Sequence, residues 1–99
     1  MGADDAEALV GYLVAVIRPP NPLTSSGAVR TGSIDELFLV ESARGSGAAG
    51  MLMRAVEAWF RAERVERAEV GAYAWNSEAL DFYERHGFSP WTVTLTKSL

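Results

Sequence analysis

A glycine-rich stretch near the middle of the chain has the composition of an anion-binding turn. Gly45 and Gly47 lack a Cβ atom, so the backbone there can adopt positive φ angles and bring its N–H groups close to a bulky anion. Helical periodicity begins directly afterwards, and the first turn of a helix adds unpaired N–H donors and the positive end of the helix dipole. Arg44 supplies a positive charge, and residues 45–54 contain no acidic side chain. The stretch therefore predicts a main-chain cradle for a diphosphate.

A second stretch, further along the chain, combines a helix start, a phenol and a helix stop. Asn76 or Ser77 can cap a helix, Gly87 can end it in the left-handed conformation, and Phe88 can cover that end. Tyr83 lies between these signals, and a phenol whose ordinary pKa is near 10 carries its proton at neutral pH. The pattern predicts a helix whose tyrosine acts either as a proton donor or as a core aromatic residue.

Together the two stretches resemble the two signatures of the GNAT superfamily of N-acetyltransferases. The first resembles the superfamily's Arg/Gln-x-x-Gly-x-Gly/Ala loop, which holds the pyrophosphate of acetyl-CoA. The second resembles its Asn-x-x-Ala-x-x-x-Tyr-x-x-x-Gly-Phe segment, which lies beside the thioester. One helix and one strand fit between the two stretches. The resemblance implies an N-acetyltransferase that uses acetyl-CoA as acyl donor, needs no metal and acts on an amine.

The resemblance also implies roles for individual residues. Tyr83 would donate a proton to the departing thiolate, and Asn76 would contact the arm of acetyl-CoA. The strand before the glycine turn would supply a main-chain N–H, from Leu39 or Val40, to the acetyl carbonyl oxygen. The pyrophosphate would be held by six successive residues, Arg44, Gly45, Ser46, Gly47, Ala48 and Ala49.

An attacking ammonium group must lose a proton, and two acidic residues on the strand before the turn are candidate bases. Strand alternation sends Asp35 and Glu36 to opposite faces, so only one of them can face an acceptor cleft. We take Glu36 as the candidate base, while a solvated edge or a salt bridge is the alternative role for both residues. His86 lies near the predicted end of the second helix and receives no catalytic role.

Residues 45–50 also match Gly-x-Gly-x-x-Gly, the fingerprint of dinucleotide-binding folds, and Glu66 lies about 20 residues further on. That fingerprint requires a glycine turn directly after a strand, whereas residues 41–44 intervene here. A nicotinamide or flavin oxidoreductase is therefore the less favoured interpretation. A phosphate-binding P-loop is excluded, because no Gly-Lys-Ser/Thr sequence follows the glycines.

Hydrophobic periodicity predicts the elements that would position both stretches. Alternation predicts four strands, over residues 9–17, 28–40, 68–75 and 91–96. The first is expected to be buried on both faces, and Gly32 is expected to form a bulge in the second. Helical spacing predicts one helix from residue 47 and another over residues 77–86.

The order of these elements predicts a single α/β domain of the α+β type over residues 1–99: strand, strand, helix, strand, helix, strand. The first two strands should form an antiparallel hairpin. A helix that joins two strands of one sheet as a crossover requires those strands to be parallel. The predicted sheet is therefore mixed and mostly antiparallel, with a central parallel pair.

Composition excludes several classes of function. The net charge is −4, which argues against nucleic acid as a partner. The longest apolar run, residues 9–17, is far shorter than the roughly 20 residues that span a bilayer, so no membrane partner is expected. There is no cysteine and only one histidine, so no thiolate or multi-histidine metal site is expected. No signal-peptide pattern is present, which favours the cytoplasm.

The resemblance lacks one part of the superfamily's fold. Members normally begin with a strand and two helices that form one wall of the acceptor site, and residues 1–8 are too few to replace them. The acceptor amine is therefore not identified by the sequence. A bare sheet edge favours either a homodimer or a chain that is a fragment of a longer protein. The alternative function is an acyl-CoA-binding or interaction module with little or no turnover.

Overall fold

A computed structural model gives the structure of residues 2–4, 9–23 and 29–99, with side chains described from residue 11 onward within these ranges. The elements in chain order are β1 Gly2–Asp4, β2 Leu9–Arg18, β3 Thr31–Leu39, a 3₁₀ turn Glu41–Ala43, α1 Ala48–Ala62, β4 Arg67–Val70 and α2 Ser77–Arg85. The sequence predicted all of them except β1 and the 3₁₀ turn.

The four strands form one mixed sheet in the order β1-β2-β3-β4. β1 pairs antiparallel with β2, and β2 pairs antiparallel with β3 as a hairpin. β3 and β4 are parallel and are joined by α1 as the crossover. The predicted hairpin, the parallel pair and the mixed α/β fold class are thus confirmed, but the parallel pair lies at one end of the sheet and not at its centre.

α1 packs its apolar stripe against one face of the sheet. The buried cluster draws two residues from the sheet and four from the helix: Leu13, Ile34, Leu52, Met53, Val56 and Phe60. The helix positions recur at intervals of three and four residues, as a core-facing stripe requires. Burial of each such side chain contributes about 1.5–3 kcal/mol relative to exposure. This face of the sheet is therefore the main source of stability and fixes the position of the glycine turn before α1.

The prediction that β2 is buried on both faces is wrong. Leu13 is fully buried beneath α1, but Val14 and Val16 on the opposite face are 43% and 38% exposed. The strand is apolar on both sides, yet α1 covers only one of them. Continuous apolar sequence predicts burial only when a second layer is present.

The predicted bulge at Gly32 is also wrong, and the real irregularity lies elsewhere in β3. Gly32 pairs regularly with Ile17, and a Cβ atom there would lie 2.5 Å from the Phe60 ring. Gly32 therefore makes room for the core aromatic side chain. The register shifts between Val14 and Ala15, which pair with Glu36 and Ile34, so that Asp35 is the extra residue.

Two predicted strands differ in the structure. The strand predicted over residues 68–75 is the shorter β4, which ends at Val70, because the chain turns before α2 and Asn76 N–H donates to the carbonyl of Tyr73 at 2.9 Å. The strand predicted over residues 91–96 is not formed, since residues 89–99 belong to no helix or strand. Its alternation of apolar and threonine residues is suited to a strand, but no neighbouring strand of the described chain pairs with it.

α2 begins and ends with the capping features that the sequence predicted. The Asn76 side chain accepts a hydrogen bond from Ala79 N–H at 3.1 Å, which makes it the N-cap. At the other end, Gly87 N–H donates to Glu84 O and Phe88 N–H donates to Tyr83 O, both at 3.0 Å. This pair of bonds is a Schellman motif, and it fixes Tyr83 relative to the end of the helix.

The Schellman motif leads to a stability prediction for Gly87→Ala. Gly87 has φ 91°, and the left-handed conformation costs a residue with a Cβ atom about 1–2 kcal/mol. We expect the free energy of unfolding, measured by urea denaturation, to fall by about that amount. Gly71→Ala is the matched control, because a Cβ at Gly71 also meets open space but its φ is not positive. An equal loss in both variants would contradict the assignment.

Candidate functional site

The topology brings the two sequence signatures to the same edge of the sheet. The glycine turn follows the carboxyl end of β3, and Asn76 and α2 follow the carboxyl end of β4. Since β3 and β4 are parallel neighbours, their carboxyl ends lie side by side. Ligands of α/β sheets bind outside the carboxyl ends of parallel strands. This edge is therefore the candidate site.

β3 extends beyond the end of β4 at this edge, and the space beside its unpaired residues is here called the cleft. The two strands pair only over Thr31–Ile34 and Arg67–Val70. β3 continues to Leu39 whereas β4 stops at Val70, so the later part of β3 has no ladder partner on the side of β4. Backbone polar groups exposed along such an edge are available to an extended ligand.

The glycine turn has the backbone conformation that an anion cradle requires. Gly45 has φ 79° and Gly47, the N-cap of α1, has φ 90°. A Cβ atom at either position would meet nothing within 4 Å, so the space in front of both is open. The Ser46 hydroxyl donates to the carbonyl of Ala43, which ties the turn to the 3₁₀ turn before it. The predicted left-handed glycines are thus present at the start of a 15-residue helix.

The electrostatics of the turn favour a negatively charged group. The first turn of α1 contains no acidic residue, and Arg44 is exposed immediately before the glycines. Arg54 is a second cation that the sequence analysis missed. Its Nη1 atom lies 3.3 Å from the position of a Cβ on Gly50, so its guanidinium folds back over the first turn of the helix. Helical spacing by itself places Arg54 on the side of α1 away from the core, and its four-residue spacing from Gly50 is the signal that could have identified it.

Tyr83 lies half-buried on the inner side of α2. Its ring contacts those of Phe82 and Phe88 edge to face, with centroids 5.4 and 5.8 Å apart. All three side chains pack against the main core. Burial raises the pKa of the Tyr83 phenol above its ordinary value of 10.0. The hydroxyl is therefore protonated throughout the neutral range, as a proton donor must be.

The raised pKa of Tyr83 leads to a pH prediction. Folded Tyr83 should ionise at higher pH than the same residue in the unfolded chain, so the unfolding free energy should decline as pH rises above about 10 and through the folded pKa. Tyr83→Phe should weaken that decline, measured by urea denaturation across alkaline pH. Tyr73→Phe, which changes a 71% exposed phenol, is the control. Identical declines in the wild type and Tyr83→Phe would contradict the burial argument.

The remaining positions of the resemblance lie around the same edge. Asn76 uses its side-chain oxygen for the helix cap, which leaves the two N–H donors of its amide for another partner. Leu39 is the last residue of β3 and pairs with Gly11, and Val40 follows it outside the ladder. Of the two predicted main-chain donors, Val40 is thus the one that lies outside the β2–β3 ladder.

The structure places the two candidate bases on the sheet differently from the sequence prediction. The bulge at Asp35 interrupts the alternation of side chains along β3. Glu36 pairs with Val14 and Ser33 pairs with Val16. Because Val14 and Val16 lie on the same face of the sheet, Glu36 and Ser33 share that face. Ser33 Oγ donates to Asp35 Oδ1 at 2.7 Å, which brings the Asp35 carboxylate to that side as well. The expectation that Asp35 and Glu36 point to opposite faces is therefore wrong.

Glu36 also has a specific partner that the sequence analysis did not foresee. The Tyr12 hydroxyl donates to Glu36 Oε1 at 2.7 Å across the hairpin. This hydrogen bond, with smaller contributions from burial and from the Glu36 charge, raises the pKa of Tyr12. The bond orients the Glu36 carboxylate and leaves its second oxygen to accept another proton donor.

Within residues 2–4, 9–23 and 29–99, no three acidic or histidine side chains are grouped so that they could hold a metal ion. Over the same part of the chain, neither helix has the length and hydropathy to cross a bilayer.

Solved structures share this fold over nearly the whole chain. A tetramutant of BH1408 protein from Bacillus halodurans superposes with a TM-score of 0.83 at 26% identity, over 97% of this chain and 62% of its own. A putative acetyl transferase from Pyrococcus furiosus gives a TM-score of 0.84 at 21% identity, with 97% and 61% covered. A ribosomal-protein-alanine N-acetyltransferase from Brucella melitensis biovar Abortus 2308 gives 0.75 at 20% identity, with 98% and 68% covered.

The chain thus spans about three fifths of the length of the first two of these structures. No curated protein is similar enough to match it. The sequence pattern of one family, described as "Acetyltransferase (GNAT) family", matches residues 1–88, which include both the glycine turn and the helix that carries Tyr83. With the glycine turn and the tyrosine helix at the carboxyl ends of one parallel strand pair, this match shows that the chain belongs to the GNAT family of acetyltransferases.

Proposed function

We propose that this protein transfers an acetyl group from acetyl-CoA to the amine of a small molecule or protein by direct attack. The observation that carries the proposal is the convergence of an open, positive-φ glycine turn and a capped tyrosine helix beside one cleft. The first can hold a diphosphate through main-chain N–H groups. The second supplies a protonated phenol on the helix that follows β4.

The residues of the turn fit the diphosphate of acetyl-CoA. The site residues from Gly45 to Ala49 include two left-handed glycines with open space in front of them, so an anion can approach the backbone. The α1 dipole and the cations Arg44 and Arg54 favour negative charge there. When bound, acetyl-CoA would supply a thioester, whose acetyl carbonyl carbon accepts the amine nitrogen as the carbon–sulfur bond breaks.

The residues around the cleft would manage protons and charge during the transfer. Glu36 takes a proton from the acceptor ammonium, directly or through water, because only the neutral amine is nucleophilic. The Val40 or Leu39 N–H stabilises the charge that develops on the carbonyl oxygen, and a donor of this kind typically contributes on the order of 2.7–4 kcal/mol. Tyr83 gives its proton to the thiolate that leaves. Asn76 helps to hold the arm of acetyl-CoA.

Release of free thiol from acetyl-CoA in the presence of a panel of primary amines tests the proposal. We expect steady, amine-dependent release that fails when the amine is omitted. Stabilisation by coenzyme A without turnover on any amine would instead favour a binding module. Stabilisation by a nicotinamide dinucleotide and none by coenzyme A would contradict both.

A further inference from the structure

Two carboxylates on the face of the sheet opposite α1 each accept a hydrogen bond from a hydroxyl group, but the two bonds differ in what they connect. Asp35 Oδ1 accepts from Ser33, two residues earlier in the same strand, at 2.7 Å. Glu36 Oε1 accepts from Tyr12 of the neighbouring strand, 24 residues away in sequence, also at 2.7 Å. Only the bond to Glu36 therefore fixes a carboxylate relative to a second strand of the sheet.

The Tyr12 side chain is itself held in place by packing. Tyr12 pairs with Phe38 across the hairpin, and the centroids of the two rings are 5.5 Å apart. Glu36 pairs with Val14, so the hydrogen bond runs diagonally between two adjacent residue pairs on one face. The Glu36 side chain is exposed, and without a partner it would sample many rotamers. A packed phenol thus restricts an otherwise mobile carboxylate to one orientation.

The restricted carboxylate lies beside the cleft. Ile34 is the last residue of β3 that pairs with β4, and Glu36 follows two residues later. A general base must lie within hydrogen-bond reach of the proton that it removes, so a fixed orientation favours catalysis. The hydrogen bond to Glu36 is the largest cause of the raised pKa of Tyr12. The phenol therefore keeps its proton at neutral pH and cannot itself act as the base.

We propose that Tyr12 is a positioning residue of the reaction, whose hydroxyl holds Oε1 of Glu36 so that Oε2 takes the proton of the acceptor ammonium. The inference rests on the proposed function, in which Glu36 is the base. One N–H bond of the ammonium breaks, its electron pair stays on nitrogen as the nucleophile, and the proton passes to Oε2. Tyr12 keeps its own proton throughout.

A double-mutant cycle distinguishes a positioning residue from one that only stabilises the hairpin. Tyr12→Phe keeps the ring on Phe38 and should lower the turnover number about tenfold or more, because the base is no longer oriented. The Michaelis constant for acetyl-CoA should be unchanged. Glu36→Gln should lower turnover about 10²–10⁴-fold. In that background Tyr12→Phe should have no further effect, since Tyr12 acts only through Glu36.

Ser33→Ala is the matched control, because it removes the hydroxyl partner of Asp35 on the same face and leaves the bond to Glu36 intact. Its turnover should match that of the wild type. A normal rate in Tyr12→Phe, or an equal loss from Tyr12→Phe with and without Glu36→Gln, would overturn the inference alone. Absence of amine-dependent turnover in the wild type would contradict both the proposed function and the inference.

Spectrophotometric titration of the tyrosines tests the bond without any turnover. The chain contains three tyrosines, and the difference between the titrations of the wild type and Tyr12→Phe isolates Tyr12. The same difference measured in the Glu36→Gln background should show a lower pKa for Tyr12, because the charged acceptor that raises it is gone. An unchanged Tyr12 titration in folded Glu36→Gln, verified by circular dichroism, would show that the bond does not form and would overturn the inference.

Discussion

Tyr83→Phe is expected to lower the turnover number about 10²–10⁴-fold, the usual contribution of a positioned general acid. Phenylalanine keeps the ring that packs against Phe82 and Phe88, so the core should be preserved. The Michaelis constant for acetyl-CoA and the affinity for coenzyme A should change little, because only the proton donor is removed. Steady-state kinetics at saturating amine, with calorimetry for affinity, measure both quantities.

Tyr73→Phe is the control for this experiment. It removes the same hydroxyl from a phenol that is 71% exposed and stacks on Trp75. Its turnover should match that of the wild type. If Tyr83→Phe also turned over at the wild-type rate, Tyr83 would be a core aromatic residue, which is the alternative that the sequence left open.

Gly47→Ala is expected to weaken coenzyme A binding about tenfold or more. With φ 90° at the N-cap of α1, a Cβ atom costs about 1–2 kcal/mol in the left-handed conformation. If the turn relaxes to relieve that strain, its N–H groups no longer point at the diphosphate. A loss of about 1.4 kcal/mol of binding free energy corresponds to a factor of ten in affinity. The added methyl group also occupies the open space from which an anion would approach. Isothermal titration calorimetry measures the loss.

Gly71→Ala serves as the control for Gly47→Ala, since its Cβ also meets open space but no positive φ is involved. It should bind coenzyme A as the wild type does. Equal affinity in Gly47→Ala and the wild type would show that the turn does not hold the diphosphate, even if the protein binds coenzyme A elsewhere.

Local patterns predicted the elements that depend on local interactions. The left-handed φ of Gly87 and the cap at Asn76 follow from the chemistry of a few neighbouring residues, and both were predictable. The parallel pair of β3 and β4 was predictable from connectivity alone, because a helix crossover permits little else. The same reasoning placed the glycine turn at the start of α1.

Features that depend on distant partners could not be predicted in this way. The exposure of Val14 and Val16 depends on which faces of the sheet receive a helix. The sequence suggested a bulge at Gly32, but a glycine is needed there because the Phe60 ring, almost thirty positions further along the chain, occupies the space of a Cβ atom. The bulge at Asp35 sets the faces of both candidate bases, and nothing in the residues around it signals the register shift. Residues 91–96 show the same limit, since a strand pattern does not identify its partner.

The hydrogen bond from Tyr12 to Glu36 illustrates that the candidate site includes residues outside the two sequence signatures. Both residues lie in the hairpin, outside either signature, and their contact follows from the β2–β3 register. Arg54 likewise comes to the glycine turn only through its backward fold over Gly50. Motifs therefore identified the candidate site, while register and side-chain packing determine which charged groups surround it.

Calorimetric titration of the folded protein with coenzyme A at up to millimolar concentration tests whether the glycine turn binds the diphosphate. We expect a measurable heat of association with one site per chain, with weaker binding in Gly47→Ala and unchanged binding in Tyr83→Phe. If correctly folded protein, verified by circular dichroism, gives no heat of association at millimolar coenzyme A, the glycine turn is not a diphosphate cradle and the proposed function is wrong.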